Sequence, residues 1–207
     1  MSPAIALDYA SVLVFALTGA LAASRAQLDL VGFVFIASLT ALGGGTLRDV
    51  LLDRNPIFWI AQPSFVGIAA AAALLVFFTA HLLESRYRTL LWIDSFALAI
   101  AVPAGAGVAI GLDQPWPVVL IMGTVTGTFG GLMRDVVCNE VPLVLKKGEL
   151  YVTAAFCGAA AAVIAAHLTN DGALIAGAGA LGTWALRAGS MAFGWSLPTY
   201  KSRPPKA

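Results

Sequence analysis

Seven long apolar stretches, separated by short polar breaks, make up the hydropathy pattern of this 207-residue chain. They run over about 8–26, 31–53, 63–83, 91–111, 116–139, 150–169 and 172–191. A hydrocarbon core of about 30 Å takes about 20 helical residues, so each stretch is long enough to cross it. A backbone exposed to lipid must satisfy its hydrogen bonds within its own segment, which favours helices. The rival, a closed β-barrel, needs alternating strands of about ten residues. These runs are solidly apolar instead. The pattern predicts an all-α polytopic membrane protein of seven transmembrane helices, with one membrane domain over 1–207.

The polar positions within this pattern recur. Asp8 returns as Asp94, Gly19 as Gly105, Gly44-Gly45 as Gly130-Gly131 and Arg48-Asp49 as Arg134-Asp135; Pro56 returns as Pro142 and His81 as His167. The offset is 86 residues throughout, without a gap. Chance pairs of alanine or leucine arise easily in such a chain, but identical Gly, Pro, Arg, Asp and His at one shift do not. The copies, 8–83 and 94–169, hold three stretches each. An odd number turns the second copy upside down, which predicts a 3+3 inverted repeat about an axis in the membrane plane. The seventh helix, 172–191, stands outside the duplication, and its Gly172, Gly177, Gly179, Gly182 and Gly189 permit close packing within or between subunits.

Composition agrees with the pattern: 59% hydrophobic and 11% charged residues, against roughly 25% charged in soluble domains. The first seven residues hold no Lys or Arg, a poor start for a cleaved signal peptide, so the first span is expected to be retained. A net charge of +1 and the lack of a basic stripe argue against nucleic acid. The basic residues set the orientation. Arg25, Arg86, Arg88, Lys146, Lys147, Lys201, Arg203 and Lys206, with Arg134 and Arg187 nearby, fall on one face; only Arg48 and Arg54 fall on the other. The N-terminus is therefore expected outside, and the 192–207 tail in the cytoplasm of a prokaryotic cell. Lys146-Lys147 would meet membrane lipid phosphates there.

The second helix of each copy is unusual. One reads Ser38-Leu-Thr40-Ala-Leu-Gly43-Gly44-Gly45-Thr46-Leu-Arg48-Asp49; the other reads Thr124-Val-Thr126-Gly127-Thr-Phe129-Gly130-Gly131-Leu-Met-Arg134-Asp135. Each glycine costs about 1 kcal/mol of helix stability relative to alanine, and consecutive glycines invite a break. Close helix packing is one reading. A broken helix lining a permeation site is the other, favoured by two clusters at equivalent depth flanked by hydroxyls. Ser38, Gly45 and Asp49 share a face within about 20°, as do Thr124, Gly131 and Asp135. An adjoining stripe carries Thr40, Gly44 and Arg48, matched by Thr126, Gly130 and Arg134.

Charges this deep are costly unless paired or hydrated. Arg48-Asp49 and Arg134-Asp135 are either structural pairs or charged vestibules at the two ends of a pore, and the roles are compatible. Asp8 and Asp94 are either helix N-caps or partners of those arginines. His81 and His167 read as packed or interfacial anchors, and Cys138 and Cys157 as buried, inert thiols. No catalytic set, metal-ligand spacing or phosphate loop is present, so neither an enzyme nor a cofactor site is expected.

With Gly43-Gly44-Gly45-Thr46-Leu47-Arg48-Asp49 in the second helix and Phe129-Gly130-Gly131-Leu132-Met133-Arg134-Asp135 in the fifth, the chain resembles the prokaryotic branch of the TRIC family, the trimeric intracellular cation channels. The resemblance covers about residues 8–191. It implies a homotrimer, each protomer with its own pore kinked at the glycine motifs, passing monovalent cations such as K⁺, with Na⁺ also open. Phe129 stands where the first glycine of the second motif would be. Prokaryotic relatives have also been labelled glycine transporters, which gives the alternative of a secondary transporter of a small solute. The residues alone leave channel, carrier and structural scaffold open. The absence of a lone acid at mid-span leans towards a channel.

Overall fold

The computed structural model describes residues 3–83, 85–198 and 200; the tail residues Lys201, Arg203 and Lys206 lie outside them. Among the described residues all regular structure is helical: α1 (Pro3–Arg25), α2 (Leu30–Leu51), a short α3 (Phe58–Ala61), α4 (Ser64–Thr79), α5 (Arg86–Gly111), α6 (Trp116–Val137), α7 (Tyr151–Leu168) and α8 (Gly172–Phe193). Single 3₁₀ turns follow α4 at Ala80–Leu82 and precede α7 at Leu143–Leu145. The seven long helices fall on the seven predicted stretches; α3 was not foreseen. Six of them, α1, α2, α4 with its 3₁₀ turn, α5, α6 and α7, are long and apolar enough to cross a membrane. The 22-residue α8 carries five glycines and Arg187 and does not reach that apolarity.

Local chemistry fixes the helix ends. The Asp29 carboxylate caps α2 by accepting from Gly32 N at 2.8 Å, and Asp171 caps α8 by accepting from Ala173 N at 2.8 Å. Ser85 does the same for α5 through Arg88 N. Gly194 ends α8 at φ 71°, a left-handed residue that glycine adopts freely.

Lipid supplies no force that drives apolar side chains inward, so the bundle coheres by close packing of small residues. The most enclosed helix is α5, 67% buried over its apolar window against 33% for α4 and α7. Its Ala97, Ala101, Ala104, Gly105 and Ala106 are buried and let α1, α6, α7 and α8 pack around it. Phe35, Leu75, Phe78, Ile164 and Leu181 are exposed, as a lipid-facing belt requires. Between α7 and α8 the tightest point is Gly158, where a Cβ would overlap Thr183 Oγ1 and stand 2.8 Å from Gly179 O. Gly158→Ala should therefore part α7 from α8 at a cost of about 1–3 kcal/mol. The check is thermal unfolding of the purified protein in detergent; an unchanged midpoint would refute this packing.

Candidate functional site

The site is built on the crossing of α2 with α6. Both helices run unbroken through their glycines, α2 over Leu30–Leu51 and α6 over Trp116–Val137. The expected break is absent, and the central glycine of each helix, Gly44 and Gly130, is matched by a backbone carbonyl of the other helix. A Cβ on Gly44 would overlap the carbonyl oxygen of Thr126, and one on Gly130 would overlap the carbonyl oxygen of Thr40. These four positions are mates one repeat apart, so the crossing is symmetric about itself. The flanking helices seat in the same paired manner. Gly19 of α1 lies against Thr40 Oγ1 and Ile36 O, and Gly105 of α5 against Thr126 Oγ1 and Met122 O.

At the crossing, Asp8, Ser11, Thr40, Gly44, Gly45, Thr126 and their neighbours enclose a cavity of about 10 Å³, room for at most one water. Its three hydroxyls are already committed as donors. Ser11 Oγ donates to Asp8 O at 2.9 Å, Thr40 Oγ1 to Ile36 O at 2.7 Å, and Thr126 Oγ1 to Met122 O at 2.6 Å. Only oxygen lone pairs and the Asp8 carboxylate remain to face a guest. The other predicted residues divide differently. Ser38, Gly43 and Phe129 line a separate apolar groove of about 400 Å³, beside Thr46, whose hydroxyl accepts from Trp59 Nε1 at 2.9 Å. Thr124 is half-buried and donates to Leu120 O at 2.8 Å. Gly131 meets the hydroxyl of Tyr151 instead.

Beyond the crossing each helix carries a lock of buried charge. Arg48, fully buried, donates through Nη1 to Asp8 Oδ1 at 2.9 Å and through Nε to Asp49 Oδ1 at 2.8 Å. Arg134, also fully buried, donates to Asp94 Oδ1 at 2.7 Å and to Asp135 Oδ1 at 2.8 Å. Asp8 and Asp94 are therefore partners of the arginines and not caps; they sit inside α1 and α5, well past the helix starts. The free oxygen of each neighbouring aspartate pins the chain that follows the helix. Asp49 Oδ2 accepts from Phe58 N and Asp135 Oδ2 from Leu143 N, both at 2.9 Å. One residue type thus neutralises the arginine and anchors α3 or the 3₁₀ turn.

Several members of the locks were missed. Arg54 adds a second cation to Asp49 Oδ1 at 2.9 Å, and Phe58 lies 5.5 Å from the Arg48 guanidinium. On the second lock, Tyr151 sits beside Gly131, and Arg187 of α8 packs 5.1 Å over the Tyr151 ring while donating to Glu149 at 2.6 Å. Repeat comparison held part of this signal: Tyr151 aligns with Phe65, and Glu140 with Arg54. Glu140 pairs instead with Arg25 at 3.0 Å. Cys138 and Cys157 are free and only half-buried, more open than expected.

An α-helical, multi-pass membrane protein with two charge-locked copies is the class that this fold and site define. The family described as "Glycine transporter" matches twice, over residues 5–81 and 91–167. The UPF0126 membrane protein of Vibrio cholerae is 33% identical over 201 residues, 94% of this chain and 81% of its own length. A UPF0126 inner membrane protein of Escherichia coli K12 is 34% identical over 156 residues, 73% of each chain. The structure of the TRIC trimeric intracellular cation channel orthologue from Rhodobacter sphaeroides aligns with a TM-score of 0.90 at 38% identity, covering 94% of this chain and all of that one. The chain belongs to this family, the prokaryotic TRIC proteins.

Two outcomes follow from the geometry. Gly130→Ala should prevent the backbone crossing and lower the unfolding temperature sharply, whereas Gly43→Ala, whose tightest contact is the movable Met133 sulfur at 3.0 Å, should be tolerated. Equal stability of the two variants would remove the crossing from its central place. Asp94→Asn strips a carboxylate from a fully buried arginine and should cost on the order of 3–5 kcal/mol, more than Asp8→Asn, whose side chain is 13% exposed. Thermal denaturation monitored by tryptophan fluorescence ranks the two.

Proposed function

We propose that this protein is a channel for monovalent cations, K⁺ foremost, with a path through each protomer of a homotrimer. The path runs between α1, α2, α5 and α6, past Thr40, Gly44, Gly45, Thr126, Gly130 and Gly131. The Arg48–Asp49 and Arg134–Asp135 locks stand at its two ends. The copies 8–83 and 94–169 run through the membrane in opposite senses and α8 is a seventh span. The N-terminus is outside, the C-terminus is in the cytoplasm, and Lys146-Lys147 meet lipid phosphates.

The observation that carries this reading is the chemistry of the cavity at the crossing. With Ser11, Thr40 and Thr126 each donating to a backbone carbonyl, its walls present acceptors and a carboxylate, a lining that favours cations over anions. The glycines serve the path by bringing two backbones, with their carbonyls, to its centre. The description of the Rhodobacter sphaeroides relative as a trimeric cation channel supports both the ion sign and the assembly.

The second reading, a carrier of a small solute such as glycine, is favoured by the family's description. A cavity with room for one water does not hold a solute of that size. Purified protein in a planar bilayer under a KCl gradient separates the two. The expected result is discrete unitary steps reversing near the K⁺ equilibrium potential. A silent bilayer, with labelled glycine taken up by liposomes holding the same protein, would replace the channel by the carrier. Thr126→Val, which removes one acceptor with little change of volume, should lower unitary K⁺ conductance while the protein still folds; undiminished current would move the path elsewhere.

A further inference from the structure

The two copies part company at one place outside the pathway. Just past the first copy, at the start of α5, Arg86 reaches back across the ends of two of that copy's helices, donating through Nε to Ala80 O and through Nη1 to Ser24 O, both at 3.3 Å. In the same copy Phe33 and Phe77 pack edge to face, with ring centroids 5.0 Å apart. One repeat on, Arg86 becomes Gly172, while Phe33 and Phe77 become Val119 and Val163. A cation and two aromatic rings have been taken away together.

What stands there in the second copy is a cavity of about 270 Å³. Ile110 and Ala166, the mates of Ser24 and Ala80, both line it. The backbone is conserved in form, since Gln27 and its mate Asp113 share the left-handed conformation, at φ 55° and 52°. The remaining polar lining consists of Asp113, Gln114, His167 and the indole of Trp116. Gln114 spends its amide nitrogen on Leu112 O at 3.3 Å, which leaves its oxygen as an acceptor. Among the described residues the Asp113 carboxylate has no hydrogen bond or ion pair. No Lys or Arg lines the cavity. The C-terminal ends of α5 and α7 meet here, and helix C-termini attract positive charge. The indole offers a face on which a cation can stack. Pro117 removes one of the N–H groups that the first turn of α6 would otherwise turn towards an anion.

We propose that this cavity binds a small organic cation, a guanidinium or primary ammonium group, in the place that Arg86 occupies at the end of the first copy. Asp113 supplies the counter-charge, Gln114 and the helix-end carbonyls accept its hydrogen bonds, and Trp116 covers it. The same chemistry can come from a soluble cation or from the ammonium of an ethanolamine headgroup.

The full chain, purified in detergent free of ethanolamine lipid, is titrated with ethylguanidinium chloride against NaCl at matched ionic strength, by calorimetry and thermal unfolding. Saturable binding with a raised unfolding midpoint is expected. Asp113→Asn should weaken it at least about tenfold, through loss of a charge-assisted contact. Asparagine suits the left-handed conformation, so this variant should fold. Val163→Phe, which returns one of the two rings to the cavity, should abolish binding. Absence of saturable binding to the wild type, or equal binding by wild type and both variants, would overturn the proposal. Repeating the titration in phosphatidylethanolamine and phosphatidylcholine nanodiscs assigns the source. Weaker binding in the former means that the headgroup already fills the site; equal binding means a soluble cation.

Discussion

Two helix backbones in direct contact are the constraint on which this structure depends. Where α2 crosses α6, the Thr40 carbonyl lies against Gly130 and the Thr126 carbonyl against Gly44, with no side chain between them. Bulk at either glycine would separate the helices, and with them α1 and α5, which seat on the same threonines through Gly19 and Gly105. In a bilayer there is little hydrophobic gain from bringing helices together, so dispersion at such close approach carries the association. The crossing also fixes direction. It leaves the C-terminal ends of α2 and α6, each carrying an Arg-Asp pair, beyond the contact in its own copy.

Those ends are then held by electrostatics of an exacting kind. A guanidinium removed from water needs its charge matched, and Arg48 and Arg134 each find two carboxylates. The first-copy lock is reinforced from the loop by Arg54, while the second is backed by Tyr151 and Arg187 from later helices. Divergence between the copies is thus concentrated where each half meets different neighbours: loop residues in one case, α7 and α8 in the other. The core of the repeat, in which glycines meet backbone, has stayed the same.

This division explains what could be read in the sequence. Helix positions were legible because lipid demands long apolar runs, and the repeat was legible because Gly, Arg and Asp recur at one spacing. The role of the glycines was not, since a run of glycine breaks a helix or admits a neighbour depending on what lies opposite, and Thr126 O is invisible from the local sequence of α2. The wheel grouped Ser38 with Gly45 and Asp49, yet Ser38 faces the apolar groove while Gly45 faces Phe58 and the inner cavity. Asp8 was readable as a cap only for a helix beginning there; with α1 starting at Pro3, its carboxylate is free to reach Arg48. Arg187 looked like one more basic residue near a membrane face, because nothing in α8 alone points to Tyr151 and Glu149.

The arginines at both ends of the proposed cation path are reconciled with it once the charges are counted by lock. Arg134 faces Asp94 and Asp135, so that cluster carries one negative charge in excess. Arg48 faces Asp8 and Asp49, and the balancing Arg54 has a side chain 37% exposed, where water screens it. Between the locks the hydroxyls are turned so that their protons point into their own helices. On the proposed path, carboxylates outnumber the guanidinium at the Arg134 lock and the hydroxyls between the locks turn oxygen lone pairs outward, and both features favour a cation over an anion. The buried arginines can then hold the helix ends in place without setting the sign of what passes between them.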